Sequence, residues 1–309
     1  VIGLGCEGMD PLEIAGGISA TGKDTETVII QKSGGTAKAV AEGLAKARKL
    51  AGFLAAMKKE PFDVSELVLG LECGASDPTS GIAANPSLGV ASDILVGLGG
   101  VSVLSETTEL IGAEELLAGR AVDKEVASEL LRIVLETEKR AVSMGTDLRG
   151  TQPTPGNIRG GISSIEEKSL GCILKAGRST LMGVLPYAGG IGSDARGLYM
   201  MDTPGQDVDS MTGMLAGGAQ MIVFTTGLGT PTGSPIAPVI KVTANKATFE
   251  NMKDDTDLDL SAVMDGTMTL TEAGGLIFGE ILSVCRGELT KSESGGHKEF
   301  GIMRVGWTF

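Results

Sequence analysis

Cysteine and glutamate stand side by side at the ends of two apolar runs, in opposite order. Val1–Gly8 (VIGLGCEG) carries Cys6 before Glu7, and Leu67–Asp77 (LVLGLECGASD) carries Glu72 before Cys73. A thiol is a soft metal ligand and a carboxylate a hard one. In an open parallel sheet, ligands bind outside the carboxyl ends of the strands. Two such pairs delivered there could serve one metal, although either thiol could also simply pack a strand end. The stretch from Glu72 to Pro86 adds Ser76, Asp77, Ser80 and Asn85 within one strand-to-helix turn. A helix starting there offers free N–H groups to a substrate carboxylate. Ser105–Glu109 (SETTE) ends the next apolar run and sends Glu106 and Glu109 towards the same rim.

The second half supplies cations and hydroxyls. Asn157 and Arg159 precede Glu166, Glu167, Lys168 and Ser169 at an expected helix start, and Asp202-Thr203-Pro204-Gly205 ends a strand. Thr225-Thr226-Gly227 opens a hydroxyl- and glycine-rich turn suited to an oxyanion. Lys241 lies inside the apolar run Val239–Thr243, where a lysine needs a partner or a role and its pKa can fall. Cys172 and Cys285 sit among Leu, Ile and Val in amphipathic stretches and are expected to be buried, inert thiols. His297, the one histidine, is expected to be structural or solvent-facing.

These residues need strands that end where they stand. Apolar runs at 1–5, 27–31, 67–72 and 101–105 predict buried parallel strands. Helices are expected at 11–20, 36–59, 87–98, 109–118 and 124–143, the last capped by Asp123. Residues 145–163 hold seven Gly or Pro and predict a boundary loop. Beyond it, helices at 164–176, 208–217, 246–253 and 271–286 alternate with strands near 181–187, 197–202, 220–226 and 237–243. The expected architecture is α/β, with two Rossmann-like subdomains (1–145 and 146–309) whose mainly parallel sheets face a shared cleft.

Several alternatives fail on their own terms. Gly3-x-Gly5-x-x-Gly8 follows a strand, but no acidic residue ends the second strand to hold a ribose, since Asp24 precedes it. Gly17–Lys23 imitates a phosphate-binding loop, yet Asp24 stands where Ser or Thr should hold magnesium. Asp202–Gly205 resembles a GTPase switch without the rest of that machinery. Formal charge is −13, with no basic run, which argues against nucleic acid. The chain has 47 glycines, mostly at the ends of apolar runs, so tight β–α turns are expected. Nothing reads as a signal peptide or membrane span, so a cytoplasmic protein with reduced thiols is expected. Val1 replaces an initiator Met, so a fragment or processed piece is expected.

Taken in order, GLGCEG, IQKSGGT, GLECGASDPTSGIAANP, LSETTELIGAEELL, PTPGNIRGGISSIEEKSLG, MDTPG and FTTGLGTPTGSPIAPVIKV resemble the catalytic domain of the altronate/galactarate dehydratase family. That family also includes the large subunit of sulfolactate sulfo-lyase. The resemblance implies an iron(II)- or manganese-dependent lyase acting on a hydroxy acid. It also implies a histidine-bearing SAF-type domain, fused or separate, and an Arg-Asn motif ahead of the first strands. A homo-oligomer is expected. On this footing Cys6, Glu7, Glu72, Cys73 and Asp77 are the metal candidates, and Lys168, Lys241 and Glu106 the catalytic ones. Ser76, Asn85, Asn157, Arg159, Thr225 and Thr226 are expected to hold substrate. The non-catalytic alternative is a binding subunit.

Overall fold

A computed structural model describes residues 1–303 of the 309. By its contacts the chain divides into one unit over Val1–Phe62 and a second from Asp63 onward.

In the first unit, β1 (Ile2–Gly3) pairs in parallel with β2 (Val28–Ile29), Ile2 opposite Val28. Helix α1 (Pro11–Ala20) follows β1, with the Asp10 side chain accepting from the Leu12 N–H and proline at its first turn, a favourable start. Helix α2 (Thr36–Ala56) follows β2 and is rich in Ala, Lys and Leu. The glycines behave as turn formers: Gly5 takes φ +117°, and a Cβ on Gly3 would run into Pro11. Both strands are shorter than the apolar runs suggest.

The second unit is built on a seven-stranded, all-parallel sheet. Its strands are β3 (Val68–Gly74), β4 (Val101–Leu104), β5 (Leu181–Leu185), β6 (Gly197–Met201), β7 (Met221–Thr226), β8 (Val239–Thr243) and β9 (Leu258–Asp259). Their order is β5-β6-β4-β3-β7-β8-β9. Strand β3 is central: Leu71 pairs with Leu104 on one side and with Val223 on the other. The chain leaves β3 towards β4 and leaves β7 in the opposite direction towards β8. The carboxyl ends of β3 and β7 therefore flank a switch point, where such sheets bind ligands.

The expected subdivision at 145/146 does not match this sheet. Strands β3 and β4 from before it pair directly with β7 and β6 from after it. The Gly- and Pro-rich stretch is a loop with two short helices, Leu148–Thr151 and Pro155–Gly160, within one unit. Parallel neighbours need long crossovers, and this one returns the chain to the same sheet.

Helices cover both faces, as buried parallel strands require. On one face α3 (Asn85–Gly97) packs against α7 (Leu270–Cys285), and Leu69, Leu71, Leu88, Leu95 and Ile277 are fully buried. Helices α4 (Lys124–Ser143) and α5 (Ile165–Ile173) contribute to the same core through Leu130, Ile133 and Ile173. On the other face α6 (Asp207–Ala216) brings Met211 and Met214 against Val103, Ile222 and Phe224. Gly70 of β3 makes that approach possible, because a Cβ there would collide with Ile222 and Met214. Among the described residues, no helix is long and apolar enough to cross a membrane.

Candidate metal centre

Adjacent residues of a strand point to opposite faces, so Glu72 and Cys73 cannot share one. Leu69, Leu71 and Cys73 face the α3–α5 side, whereas Gly70, Glu72 and Gly74 face α6. Cys73 accordingly meets Cys172 of α5, with the two sulfurs 3.8 Å apart. Glu72 meets α6, whose Ser210 donates to its Oε2 at 2.7 Å, and Ser105, just after β4, donates to the same oxygen at 3.1 Å.

Glu106 closes the end of the strands and belongs to both sides. Its Oε2 accepts from the Cys73 N–H at 3.1 Å, from the Cys73 thiol at 3.4 Å and from the Lys175 ammonium at 2.6 Å. Two groups of ligand-type atoms result, Cys73–Glu106–Cys172 and Glu72–Glu106–Asp207, each with atoms within 4.8 Å of one another. Glu106 reaches this position with φ +66°, a left-handed conformation that costs a non-glycine residue about 1–3 kcal/mol. Its N–H donates to Thr203 Oγ1 at 2.6 Å, and Thr203 is 3.1 Å from Ser210 Oγ. Thr203, Ser210 and Glu72 thus form one hydrogen-bonded chain beneath the carboxylates.

Charge balance separates the two groups. Burial, with repulsion from Glu106, pushes the Glu72 carboxyl well above the usual carboxylate range. The same two causes raise Asp207 to about 7. Glu72 Oε1 is buried without a hydrogen-bond partner, an expensive condition for a carboxylate oxygen. On the thiol side, an ammonium already supplies positive charge. Lys175 is fully buried, and although burial opposes its charge, the Cys172 and Cys73 sulfurs and the Glu106 and Glu72 carboxylates favour it. A hydrogen bond with Cys172, with burial, holds the Cys73 thiol well above its ordinary value. The unmet demand for a cation therefore lies at Glu72, Glu106 and Asp207. An all-oxygen set of this kind fits a hard or borderline divalent ion.

A cavity of about 200 Å³ opens onto Cys73, with Ser76, Asp77, Asn85 and Lys168 in its lining and Pro78, Ile82, Ile162, Leu170 and Leu174 as apolar walls. Lys168 pairs with Glu109 at 2.8 Å. Burial opposes the lysine's charge, but Glu109 outweighs it and holds Lys168 protonated. Burial raises Glu109 in turn, with Glu106 adding repulsion against the pull of Lys168. Glu109 Oε2 is buried and unpartnered.

Several expected site residues have other work. Asp77 accepts from Thr79 Oγ1, Ser80 N and Ser80 Oγ through Oδ1 and from Asn245 through Oδ2. That carboxylate organises the turn and lies outside both ligand groups. Lys241 gives its ammonium to the carbonyls of Pro231 and Thr232, and the acids that act on it are Asp257, Asp255 and Glu299. Its ammonium is thus engaged by the 231–232 loop, as a buried cation takes the nearest acceptors. Asn85 joins Gly171 O to Thr225 Oγ1. Thr226 accepts from the Gly229 N–H. Asn157 completes the capping box of the Pro155–Gly160 helix, accepting from the Thr154 N–H, and donates to Ser76 O, and Arg159 is exposed. Cys6 and Glu7 lie in the first unit, Glu7 accepting from the Leu4 and Gly5 N–H groups and Cys6 accepting from Gln31 Nε2 at 3.3 Å. His297 is half-buried, its Nδ1 against Pro231 O and near Asp255.

Three residues of the cluster escaped sequence reasoning. Cys172 is buried as expected and faces Cys73, so it stands at the cluster rather than in remote packing; Cys285 is only partly buried. Lys175 lies three residues after Cys172, the spacing that shares a helix face, and a lysine on an apolar face was a usable signal. Asp207 opens a helix and reads there as an ordinary N-terminal acid.

A family model described as "D-galactarate/Altronate dehydratase, C-terminal" matches residues 64–308. Over 320 residues the chain is 36% identical to the (2R)-sulfolactate sulfo-lyase subunit beta of Chromohalobacter salexigens, covering 99% of this chain and 81% of that one. It is 36% identical to galactarate dehydratase (L-threo-forming) of Escherichia coli, covering 93% of this chain and 56% of the relative. It is 32% identical to altronate dehydratase of Bacillus subtilis, covering 100% and 61%. By their names all three are lyases. The chain spans only about three-fifths of the two dehydratases' length.

Proposed function

The chain belongs to the family of the C-terminal domain of D-galactarate/altronate dehydratase, and on that footing we propose that it is a metal-dependent lyase removing water from a sugar acid of altronate or galactarate type. The product is a 2-keto-3-deoxy acid. The observation that carries this reading is the Glu72–Glu106–Asp207 group with its unpartnered Glu72 Oε1. Iron(II), or manganese(II), is the ion we assign to these carboxylates.

β-Elimination removes a weakly acidic proton next to a carboxylate while hydroxide leaves the neighbouring carbon. A divalent ion held by Glu72, Glu106 and Asp207 would supply positive charge to this elimination through Glu106, the carboxylate shared with the Cys73 side. Lys168, charged and at the cavity wall, binds the substrate carboxylate or donates a proton to the leaving group. Its pairing with Glu109, which keeps it protonated, favours these roles over that of the resting base. Glu109, with one oxygen free, is our candidate for accepting the α proton. The apolar walls limit water around the reacting carbons. The enol left after elimination tautomerises to the ketone.

One observation favours a second reading. A cavity near 200 Å³ is small beside the roughly 300–1,000 Å³ of common ligand pockets, and apolar walls suit a short acid better than a polyol. That supports elimination of sulfite from a three-carbon sulfolactate, giving pyruvate. A small SAF-type domain or subunit is the partner we assign. The test mixes the chain, with and without such a partner, with iron(II) and altronate, galactarate or sulfolactate under anaerobic conditions. Keto acid without sulfite supports the dehydratase, and equal sulfite and pyruvate the sulfo-lyase. Turnover of no acid in the presence of partner and metal contradicts both.

A further inference from the structure

Lys175 is among the largest of the fully buried side chains, it does not line the substrate cavity, and its hydrogen-bond partner is Glu106. A lysine is almost never buried without a paired charge to justify it. The pair has a clear arithmetic. Around the centre stand four carboxylates, Glu72, Glu106, Glu109 and Asp207, and two ammonium groups, Lys168 and Lys175. With the carboxylates ionised and both thiols protonated, the sum is two negative charges.

We propose that Lys175 sets the charge of the metal centre: by cancelling one carboxylate from within, it leaves a deficit of two and fits the centre to divalent rather than trivalent cations. The inference rests on the metal reading above and adds to it. Glu106 belongs to both ligand groups, so the ammonium on its thiol side acts through it on whatever the carboxylate side holds. Without Lys175 the deficit becomes three, and every trivalent ion gains one more unit of attraction than a divalent ion does. A unit charge about 5 Å away at an effective dielectric near 20 shifts the preference on the order of a hundredfold. For an iron enzyme such a residue disfavours retention of the oxidised ion.

The experiment compares dissociation constants for manganese(II) and terbium(III) in the wild type and in Lys175→Gln, by equilibrium dialysis of the intact chain, with circular dichroism to confirm folding. The glutamine keeps a donor for Glu106 but carries no charge. Its preference for terbium(III) over manganese(II) should rise about a hundredfold, while Lys175→Arg should hold the wild-type ratio. If Lys175→Gln does not fold, Lys175→Met, which keeps the apolar stem, takes its place. A ratio within threefold of wild type in the folded neutral variant overturns the proposal. So does an equal shift in Lys175→Arg, which would mark a purely structural role. A wild type that binds neither ion fails at the earlier step, removing the metal reading and this inference with it.

Discussion

Replacing Glu72 with glutamine separates the two costs that meet at this carboxylate. The amide that replaces it can still accept from Ser105 and Ser210 through its one oxygen, so the hydrogen-bonded chain to Thr203 survives. What disappears is a buried negative charge within 4.8 Å of ligand oxygens of Glu106 and Asp207. At that separation and an effective dielectric of about 20, each like-charge pair costs about 3 kcal/mol when both are ionised. Partial protonation of the metal-free cluster reduces this, so the metal-free variant should gain about 1–3 kcal/mol in unfolding free energy. The bound ion reverses the sign. It loses attraction to one ligand charge, and affinity for manganese(II) should fall at least a hundredfold, or about 3 kcal/mol. The assay is urea unfolding of chelator-treated protein at pH 8, without metal and along a manganese(II) titration, since a ligand of the native state stabilises by mass action. A metal-free variant less stable than wild type, with an unchanged response to manganese(II), would show that Glu72 neither repels its neighbours nor holds the ion.

Three further outcomes follow from the same structure. In Gly74→Ala the new Cβ would meet the Asp207 carboxylate and the Phe224 ring, so stability should drop by about 1–3 kcal/mol and manganese(II) affinity with it; calorimetry that finds both unchanged contradicts the packing. Thr203→Val leaves the buried Glu106 N–H without its acceptor, a loss of about 1–3 kcal/mol measurable as a lower denaturant midpoint. Burial lowers the pKa of Lys241 from the ordinary lysine value of 10.5. The folded state therefore releases its proton first, and the penalty for a buried charge, complete at neutral pH, is relieved as pH rises through the lowered value towards 10.5. Wild type should accordingly gain stability relative to Lys241→Met across that window, and a constant gap from about pH 7 up to 10.5 would count against it.

Most of the sheet was legible because parallel strands buried on both faces leave unbroken apolar runs that stop at glycine or at polar turns. Leu67–Gly74, Val101–Leu104 and Met221–Thr226 are of this kind. Strand β9, Leu258–Asp259, and the short helix Lys291–Gly295 are too brief and too polar to leave a periodic signal. The 145–163 loop suggested a domain boundary because its composition is that of a linker, whereas strand pairing across it is a long-range property. The site was legible in part for the same reason. Glu72, Cys73 and Glu106 end strands, and strand ends can be read locally. Cys172 looks like packing until the fold brings it against Cys73, and Asp207 like a helix-capping acid until Gly74 allows its carboxylate to approach. Lys241 shows the converse, since a conspicuous strand lysine found its partners in nearby carbonyls.

We assign one divalent ion to Glu72, Glu106 and Asp207. Anomalous scattering at the manganese edge, from crystals grown with manganese(II), tests it directly. One strong peak per chain should lie within bonding distance of oxygens from all three carboxylates and be absent in Glu72→Gln. A peak on other residues, or none at saturating manganese(II), would contradict it.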